Sequence, residues 1–225
     1  MIQIQELEGT HFRLPLASVP AGELVAVVAP TVACAREFVD LLLGLASPRH
    51  GAVRLFGQAL AAIDEAGRLA LRARLGFAAQ TEGLVGHLAL WENILIGAAY
   101  HHGQDAAALD ARVRTLLGWC GWSEDEARQS FLRQPGQATP FERATAAWLR
   151  ALLGEPELLV CEDLFGGLAA EQRRRLIEAS VNFLSEDPER GSVFVLVGDR
   201  LVEELQPTSM FYLSLRGDFR AESQA

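Results

Sequence analysis

The sequence contains no lysine, because all 20 of its basic residues are arginine. It also lacks a long apolar run, since stretches such as residues 24–28 and 158–160 are far shorter than the roughly 20 residues needed to cross a bilayer. The cysteines Cys34, Cys120 and Cys161 are widely spaced and form no CxxC pair. We therefore expect no membrane-spanning segment, no disulfide framework and no zinc site, with the cysteines as small buried hydrophobic residues.

The composition indicates one large globular domain. At 225 residues, 50% of them hydrophobic, the chain is long enough to bury a substantial core. Its net charge of −9 opposes binding to nucleic acid, which needs a cationic face. Residues 1–5 lack a basic region followed by an apolar stretch, so we expect no secretory signal and a cytoplasmic location.

Apolar periodicity divides the chain into strands and helices. It predicts, in chain order, a β-type pattern over residues 1–28, a helix over 36–45, a strand over 52–56, several helices over 88–153, a strand over 158–161, a helix over 170–185 and a strand over 192–197. Strands that alternate with helices imply a largely parallel sheet. We predict a single domain over residues 1–225 that includes a helical subdomain over residues 88–153.

Four segments carry motifs in a fixed order: residues 22–30, 75–80, 87–94 and 150–160. They resemble, respectively, the strand entering the phosphate loop, the Q-loop, the helix start that follows it, and the run from the signature helix into the Walker B strand of ATP-binding cassette (ABC) transporter ATPases. The resemblance covers nearly the whole chain. It implies an α/β fold of the P-loop NTPase-like ABC ATPase type, with a mixed sheet core, an antiparallel β subdomain and a helical subdomain.

The phosphate loop of this family works through glycines that expose backbone N–H groups, a lysine that supplies charge, and a hydroxyl that holds magnesium. In this chain Val32 and Cys34 occupy glycine positions, Ala35 replaces the lysine, and Arg36 and Glu37 replace two hydroxyl residues. The degenerate loop as a whole comprises Ala29, Pro30, Thr31, Val32, Ala33, Cys34, Ala35, Arg36 and Glu37.

These replacements predict a loss of nucleotide binding. Forcing Val32 or Cys34 into a glycine-type conformation would cost about 1–3 kcal/mol each, and Glu37 would bring negative charge toward the phosphates. Arg36 is the one residue of the loop that could offer a phosphate a positive charge. We therefore expect no bound cofactor, with ATP and Mg bound only weakly if at all.

The other nucleotide motifs depart from the family as well. The paired glycines of the signature align with Pro140, which has no N–H, and Phe141, which adds bulk. The Walker B acids appear in reverse order as Glu162 and Asp163, and Asp199 takes the position of the switch histidine. We expect no catalytic residue, no metal and no ATP hydrolysis.

The Q-loop is the motif that the chain retains. Gln80 stands at the family's glutamine position, and in the family this loop links the nucleotide site to the coupling helix of a membrane subunit. Thr81, Leu84 and Trp91 belong to the same segment. We predict that the segment docks on a partner; the alternatives are a polar loop residue for Gln80 and core packing for Trp91.

The favoured interpretation is a noncatalytic homologue of ABC nucleotide-binding domains with a structural or regulatory role. It would dock on a transporter membrane subunit, an active ABC ATPase partner or both, as a homo- or heterodimer, in the cytoplasm or peripherally on the cytoplasmic face of the inner membrane. One alternative is a divergent ATPase that powers transport with Arg36, Glu162 and Asp163. Another is a free cytosolic interaction protein that reuses the fold.

Overall fold

The computed structural model describes residues 1–79, 83–101 and 106–216. The described residues form the strands β1 (Ile2–Glu8), β2 (Phe12–Val19), β3 (Leu24–Ala29), β4 (His50–Leu55), β5 (Gln58–Ala59), β6 (Leu75–Ala79), β7 (Leu158–Glu162), β8 (Gly191–Val197), β9 (Ser209–Tyr212) and β10 (Ser214–Leu215). The α-helices are α1 (Val32–Leu42), α2 (Glu65–Arg72), α3 (Leu90–His101), α4 (Ala106–Trp119), α5 (Glu124–Ser130), α6 (Pro140–Leu152), α7 (Ala170–Glu186) and α8 (Val202–Leu205).

Five strands form a parallel sheet in the order β6-β7-β8-β3-β9. All six residues of β3 are buried, which is typical of a parallel strand covered on both faces. The carboxyl ends of parallel strands lie at one edge of the sheet, where open α/β sheets bind their ligands. The ends of β3, β7 and β8 therefore define the edge at which a functional site is expected.

The other five strands form an antiparallel sheet in the order β10-β2-β1-β4-β5. On β1, Ile2 and Ile4 are buried while the residue between them is exposed, the alternation of a sheet with one solvated face. Gly51 of β4 has a φ of +83°, and a Cβ there would lie 2.1 Å from the carbonyl oxygen of Glu6. Only glycine fits there. The strands thus separate into one antiparallel and one parallel sheet.

Two apolar cores lie on opposite faces of the parallel sheet. Leu24 and Ala26 of β3 belong to the core that includes α6 and α7. Val25 and Val27 point to the other face, because successive residues of a strand alternate, and belong to the core formed with α1 and the antiparallel sheet. A single central strand therefore contributes to both cores.

Helices α3 to α6 lie between β6 and β7 in the chain, and the described part of residues 88–153 contains no strand. α6 packs against β6, and Ala147 and Leu149 of α6 share one core with Ala78 of β6. Since the helices and the sheet share a core, a separate helical subdomain at residues 88–153 stays a prediction. Within the described ranges, no helix is both long and apolar enough to cross a bilayer.

The helix boundaries agree with the sequence in one case and differ in another. α7, at Ala170–Glu186, agrees closely with the helix predicted over residues 170–185. α1 spans Val32–Leu42 and so begins four residues before the predicted start at Arg36. The physical cause is a helix cap at Thr31, whose side chain accepts a backbone N–H of the first turn of α1.

Trp148 of α6 anchors the core between the helices. It is 0% exposed, and its indole Nε1–H donates to Ser180 Oγ of α7 at 3.0 Å.

Replacing Trp148 by alanine should lower the free energy of unfolding by about 3–5 kcal/mol, because it leaves a large cavity. Urea denaturation measures this loss. Leu132→Ala, at a side chain 74% exposed, is the control and should cost under about 0.5 kcal/mol; equal costs would contradict the description of the core.

Candidate functional site

Helix α1 begins almost directly after β3, at the carboxyl edge of the parallel sheet. Only Pro30 and Thr31 separate the two elements. Thr31 is extended, and its Oγ1 accepts the N–H of Cys34 at 3.2 Å. The N–H of Ala35 donates to the carbonyl oxygen of Thr31 at 3.1 Å. Threonine is a preferred N-cap, so a helix starting at Val32 is the expected local structure.

The early start of α1 removes the predicted backbone strain. Val32 and Cys34 lie within the helix, and neither is among the residues with positive φ. The expectation that they are forced into a glycine-type conformation is therefore wrong. The aligned family glycines are replaced by residues that a right-handed helix tolerates, and the helix extends over them.

The position aligned with the lysine points away from solvent. Ala35 is 1% exposed and packs in the core between α1 and the antiparallel sheet. Cys34 is fully buried beside it. A cation at this edge of the sheet must therefore come from another residue.

Arg36 supplies that cation. Its Nη1 lies 3.0 Å from Oε2 of Glu162, at the end of β7, and its Nε lies 3.3 Å from Oδ1 of Asp40 on its own helix. The Glu162 side chain is only 11% exposed, whereas that of Arg36 is 38% exposed. The structure therefore brings together two residues that the sequence singled out, from segments far apart in the chain.

Asp163 follows Glu162 immediately, in the left-handed region with a φ of 43°. Its N–H donates to the carbonyl oxygen of Val195 on β8 at 3.1 Å. A non-glycine residue in this conformation is strained, and such strain concentrates at functional sites. Although the residue is exposed as a whole, partial burial of its carboxyl raises the pKa of Asp163. The two Walker B acids thus differ in environment, because Glu162 is ion-paired.

Asp199, at the switch position, is exposed on the loop after β8. Its carbonyl oxygen accepts the N–H of Val202 at 3.0 Å. The preceding Gly198 has a φ of +76°, and its N–H donates to the carbonyl oxygen of Ala29 at 2.9 Å. The switch segment therefore contacts the start of the phosphate loop through its backbone.

Glu37 is directed at the turn between β1 and β2. Its carboxylate accepts the N–H groups of Thr10 and His11, the latter at 2.9 Å, and lies 3.0 Å from Nδ1 of His11. Burial by itself would raise the pKa of Glu37, but the hydrogen bonds from Thr10 and His11 outweigh it and lower that pKa. The expectation that Glu37 brings negative charge toward the phosphates is corrected, because the turn takes up its carboxylate.

The signature segment forms a closed helix cap at the start of α6. Thr139 Oγ1 accepts the N–H of Glu142 at 3.2 Å, and Glu142 Oε2 accepts the N–H of Thr139 at 2.7 Å. Pro140 occupies the first helical turn, where a missing N–H costs little. Phe141 is buried and stacks on Trp122 with ring centres 5.3 Å apart. It therefore adds bulk to the core and not to the surface.

The retained Q-loop is described only in part. Gln80 and Thr81 lie outside the described residues. Leu84 and Trp91 are partly buried and pack against the core that contains α6. Their proposed docking role stays a prediction, since core packing accounts for the contacts seen.

Sequence analysis missed several residues that organise the site. Asp40 could have been found, because it stands four residues after Arg36 and such pairs face each other on a helix. The Thr139–Glu142 spacing is also a readable capping box. No sequence signal could have found the contact of Glu37 with the turn at Thr10, because it joins residues 27 positions apart.

The groups at the carboxyl edge fit a phosphate with a divalent cation. They are fewer than a complete phosphate loop would provide. An α-helix has no internal acceptor for its first N–H groups, and at α1 these belong to the exposed residues Val32 and Ala33. Such groups bind anions. Arg36 adds a positive charge nearby, and the carboxylates of Glu162 and Asp163 are ligands that Mg²⁺ accepts.

The sequence is similar to ATP-binding proteins of known transporters. No protein-family model matches the chain. The lipoprotein-releasing system ATP-binding protein LolD of Chromohalobacter salexigens is 34% identical over 151 residues, which is 67% of this chain and 61% of that protein. The sulfate/thiosulfate import ATP-binding proteins CysA of Pectobacterium atrosepticum and Escherichia coli are each 28% identical, over 82% and 79% of this chain and 56% and 46% of theirs. The chain thus spans about half the length of the curated relatives it matches.

Solved structures confirm the fold. The ATP-binding cassette MJ0796, in a dimeric post-hydrolysis state bound to ADP and Pi, matches with a TM-score of 0.78 at 17% identity, over 95% of this chain and 94% of that one. CbiO1 from Clostridium perfringens, part of the ABC transporter complex cbiONQ, matches with a TM-score of 0.76 at 15% identity, over 95% and 84% of the two chains. The predicted ABC ATPase fold is confirmed, and the sequence is similar to the nucleotide-binding domains of ABC transporters.

The comparisons also contradict the prediction that no cofactor binds. The curated relatives are named ATP-binding proteins, and MJ0796 was solved with ADP and phosphate. That prediction is wrong as it was made, because it treated each missing motif residue as a lost contact. At the same edge of the sheet, the structure has a helix that starts at Val32 and the guanidinium of Arg36 beside Glu162.

The contact of Glu37 with the β1–β2 turn should make stability depend on pH. Because the folded-state pKa of Glu37 is lowered, its contribution is fully present above the unfolded value of roughly 4.3 and is lost as pH falls through the lower folded value. As pH falls below about 4.3, the wild-type chain should therefore lose stability more steeply than Glu37→Gln. Urea unfolding at a series of pH values measures this, and parallel curves would contradict the contact.

Proposed function

We propose that this chain is an ATP-binding subunit of an ABC transporter and a divergent ATPase. It would hold Mg-ATP at the carboxyl edge of the parallel sheet with Arg36, Glu162 and Asp163. The observation that carries this proposal is the 3.0 Å contact between Arg36 and Glu162. It supports a site in which a cation on α1 lies beside Glu162, the first of the two Walker B acids.

Each residue has a chemical role in this proposal. Arg36 would contact phosphate oxygens, since a guanidinium presents a planar set of donors that suits them. Glu162 would hold the divalent cation, whose bound charge offsets that of the phosphates. Asp163 would orient water and accept its proton. The raised pKa of Asp163 supports that role, because a general base works best when its pKa approaches the working pH.

The charge balance of the site supports a requirement for the divalent cation. One guanidinium, from Arg36, contacts the carboxylates of Asp40 and Glu162, and Asp163 follows directly in the chain. Among these four described residues the carboxylates outnumber the guanidinium, so their net charge is negative. A free polyphosphate would be repelled there, so we expect ATP to bind more tightly with Mg²⁺ than without it.

The relatives suggest the setting in which the chain acts. MJ0796 was solved as a dimer, CbiO1 is part of a transporter complex, and LolD belongs to a lipoprotein-releasing system. We propose by analogy that this chain pairs with a second copy or with another ABC ATPase domain. It would dock on a membrane subunit through the segment that contains Leu84 and Trp91, on the cytoplasmic face of the membrane.

A second candidate is a subunit that binds ATP without turning it over. Two observations favour it. Ala35 is buried where the family has its lysine, and at the start of α6 the side chains of Thr139 and Glu142 each accept the other's backbone N–H. In such a subunit the nucleotide would have a structural or regulatory role in a dimer whose partner performs the hydrolysis.

Turnover of ATP by Asp163→Asn separates the two candidates. If the chain is a divergent ATPase, magnesium-dependent release of phosphate should fall by about a hundredfold or more, because the variant removes the group that accepts the proton. Asp125→Asn, at an exposed acid on α5, is the matched control and should keep wild-type turnover.

The same assay, run beside calorimetric titration with Mg-ATP, distinguishes the remaining outcomes. Binding without wild-type turnover above background supports the noncatalytic subunit. Turnover that survives in Asp163→Asn contradicts the assigned role of Asp163. No binding by the folded wild-type chain at millimolar Mg-ATP would contradict both candidates.

A further inference from the structure

The contact between Arg36 and Glu162 joins α1 to the end of β7, which is not a neighbour of β3 in the sheet. α1 follows β3, and β8 lies between β3 and β7. Arg36 Nη1 and Glu162 Oε2 are 3.0 Å apart across this gap. The ion pair therefore spans the carboxyl edge, in the place where the site proposed above would bind phosphate.

The environment of Glu162 explains why the pair forms. Its side chain is 11% exposed, and a carboxylate so far removed from water needs a charged partner. Arg36 is the only basic residue of α1. Its Nε also contacts Asp40, which holds the guanidinium in an orientation that leaves Nη1 directed at Glu162.

A carboxylate and a phosphate compete for the same donors. Both present oxygen acceptors that an arginine fork binds in the same way. While Glu162 occupies Arg36, a phosphate that approaches the guanidinium also meets the negative charge of Glu162. Phosphate can use Arg36 fully only after Glu162 has left it.

We propose that the Arg36–Glu162 pair is an internal latch, in which Glu162 takes the place of a nucleotide phosphate on Arg36 until ATP displaces it. The latch rests on the nucleotide site proposed above and adds its regulation. Displacement releases Glu162, which then becomes available as a ligand for the divalent cation. Binding of the phosphate and completion of the metal site are thereby linked through one side chain.

If the latch exists, removing the charge of Glu162 should strengthen ATP binding. If Glu162 were only a metal ligand, the same change would not strengthen it. Glu162→Gln keeps the size of the side chain but removes its charge, so it releases Arg36 Nη1 from the Glu162 carboxylate and should tighten binding of Mg-free ATP by about tenfold, or about 1.4 kcal/mol. If Glu162 served only as a metal ligand, the same variant would leave Mg-free binding unchanged and weaken Mg-ATP binding. Calorimetric titration of both nucleotide forms measures the difference.

A matched control lies at the other end of the same strand. Glu157 directly precedes β7 and pairs with Arg74 at 2.5 Å. Glu157→Gln makes the same chemical change in an arginine pair away from the carboxyl edge, and it should bind ATP as the wild-type chain does. If both variants bound ATP more tightly by the same factor, the change in net charge alone would explain the effect. That result would overturn the latch.

The Arg36→Ala background tests whether the gain depends on Arg36. If Glu162→Gln acts by freeing Arg36, its tenfold gain should disappear when Arg36 is absent. A gain that persists would assign the effect to direct repulsion by Glu162 and overturn the latch. Circular dichroism and the unfolding midpoint of each variant establish that it is folded.

The two proposals fail in different ways. If the wild-type chain binds ATP and Glu162→Gln binds it equally or more weakly, the latch is wrong while the nucleotide site stands. If neither folded protein binds ATP in either form, the nucleotide site is wrong and the latch fails with it.

Discussion

The burial of β3 on both faces is the constraint on which the rest of the structure depends. Its six residues are all buried, it pairs with β8 and β9, and its alternating side chains contribute to both apolar cores. Because β3 is fixed in this way, the start of α1 is fixed at the carboxyl edge of the sheet. The ends of β7 and β8 then lie beside it through the parallel register.

The chemistry at that edge follows from how the helix begins. Without glycines in the loop, Thr31 caps the helix at once and Val32 lies in its first turn. This rotates Ala35 into the core and leaves Arg36 facing Glu162. The chain thus has a capped helix with one arginine where the family that it resembles has a glycine-rich phosphate loop.

The fold could be predicted because it rests on local patterns and on a resemblance spread along the chain. The apolar run at residues 24–28 and the helix over residues 170–185 were readable directly, and the ABC ATPase fold was correctly predicted. The start of α1 was not, because alignment with a glycine-rich loop outweighed the capping preference of Thr31. Local helix signals in the sequence were the better guide there.

The geometry of the site was less predictable, because its contacts are long-range. Glu37 was assigned a repulsive role, yet its partners Thr10 and His11 lie in the turn between β1 and β2. Arg36 and Glu162 were each noticed, but their contact depends on the packing of α1 over the sheet. The expected lack of a cofactor was wrong for a related reason. A list of missing motif residues does not account for the groups that the fold places there instead.

The most direct test of the account is a crystal structure of the chain with Mg²⁺ and a non-hydrolysable ATP analogue. The account predicts phosphate oxygens within hydrogen-bonding distance of Arg36 and of the first N–H groups of α1, with Glu162 moved off Arg36. An analogue bound elsewhere, with the 3.0 Å pair of Arg36 and Glu162 unchanged, would contradict it.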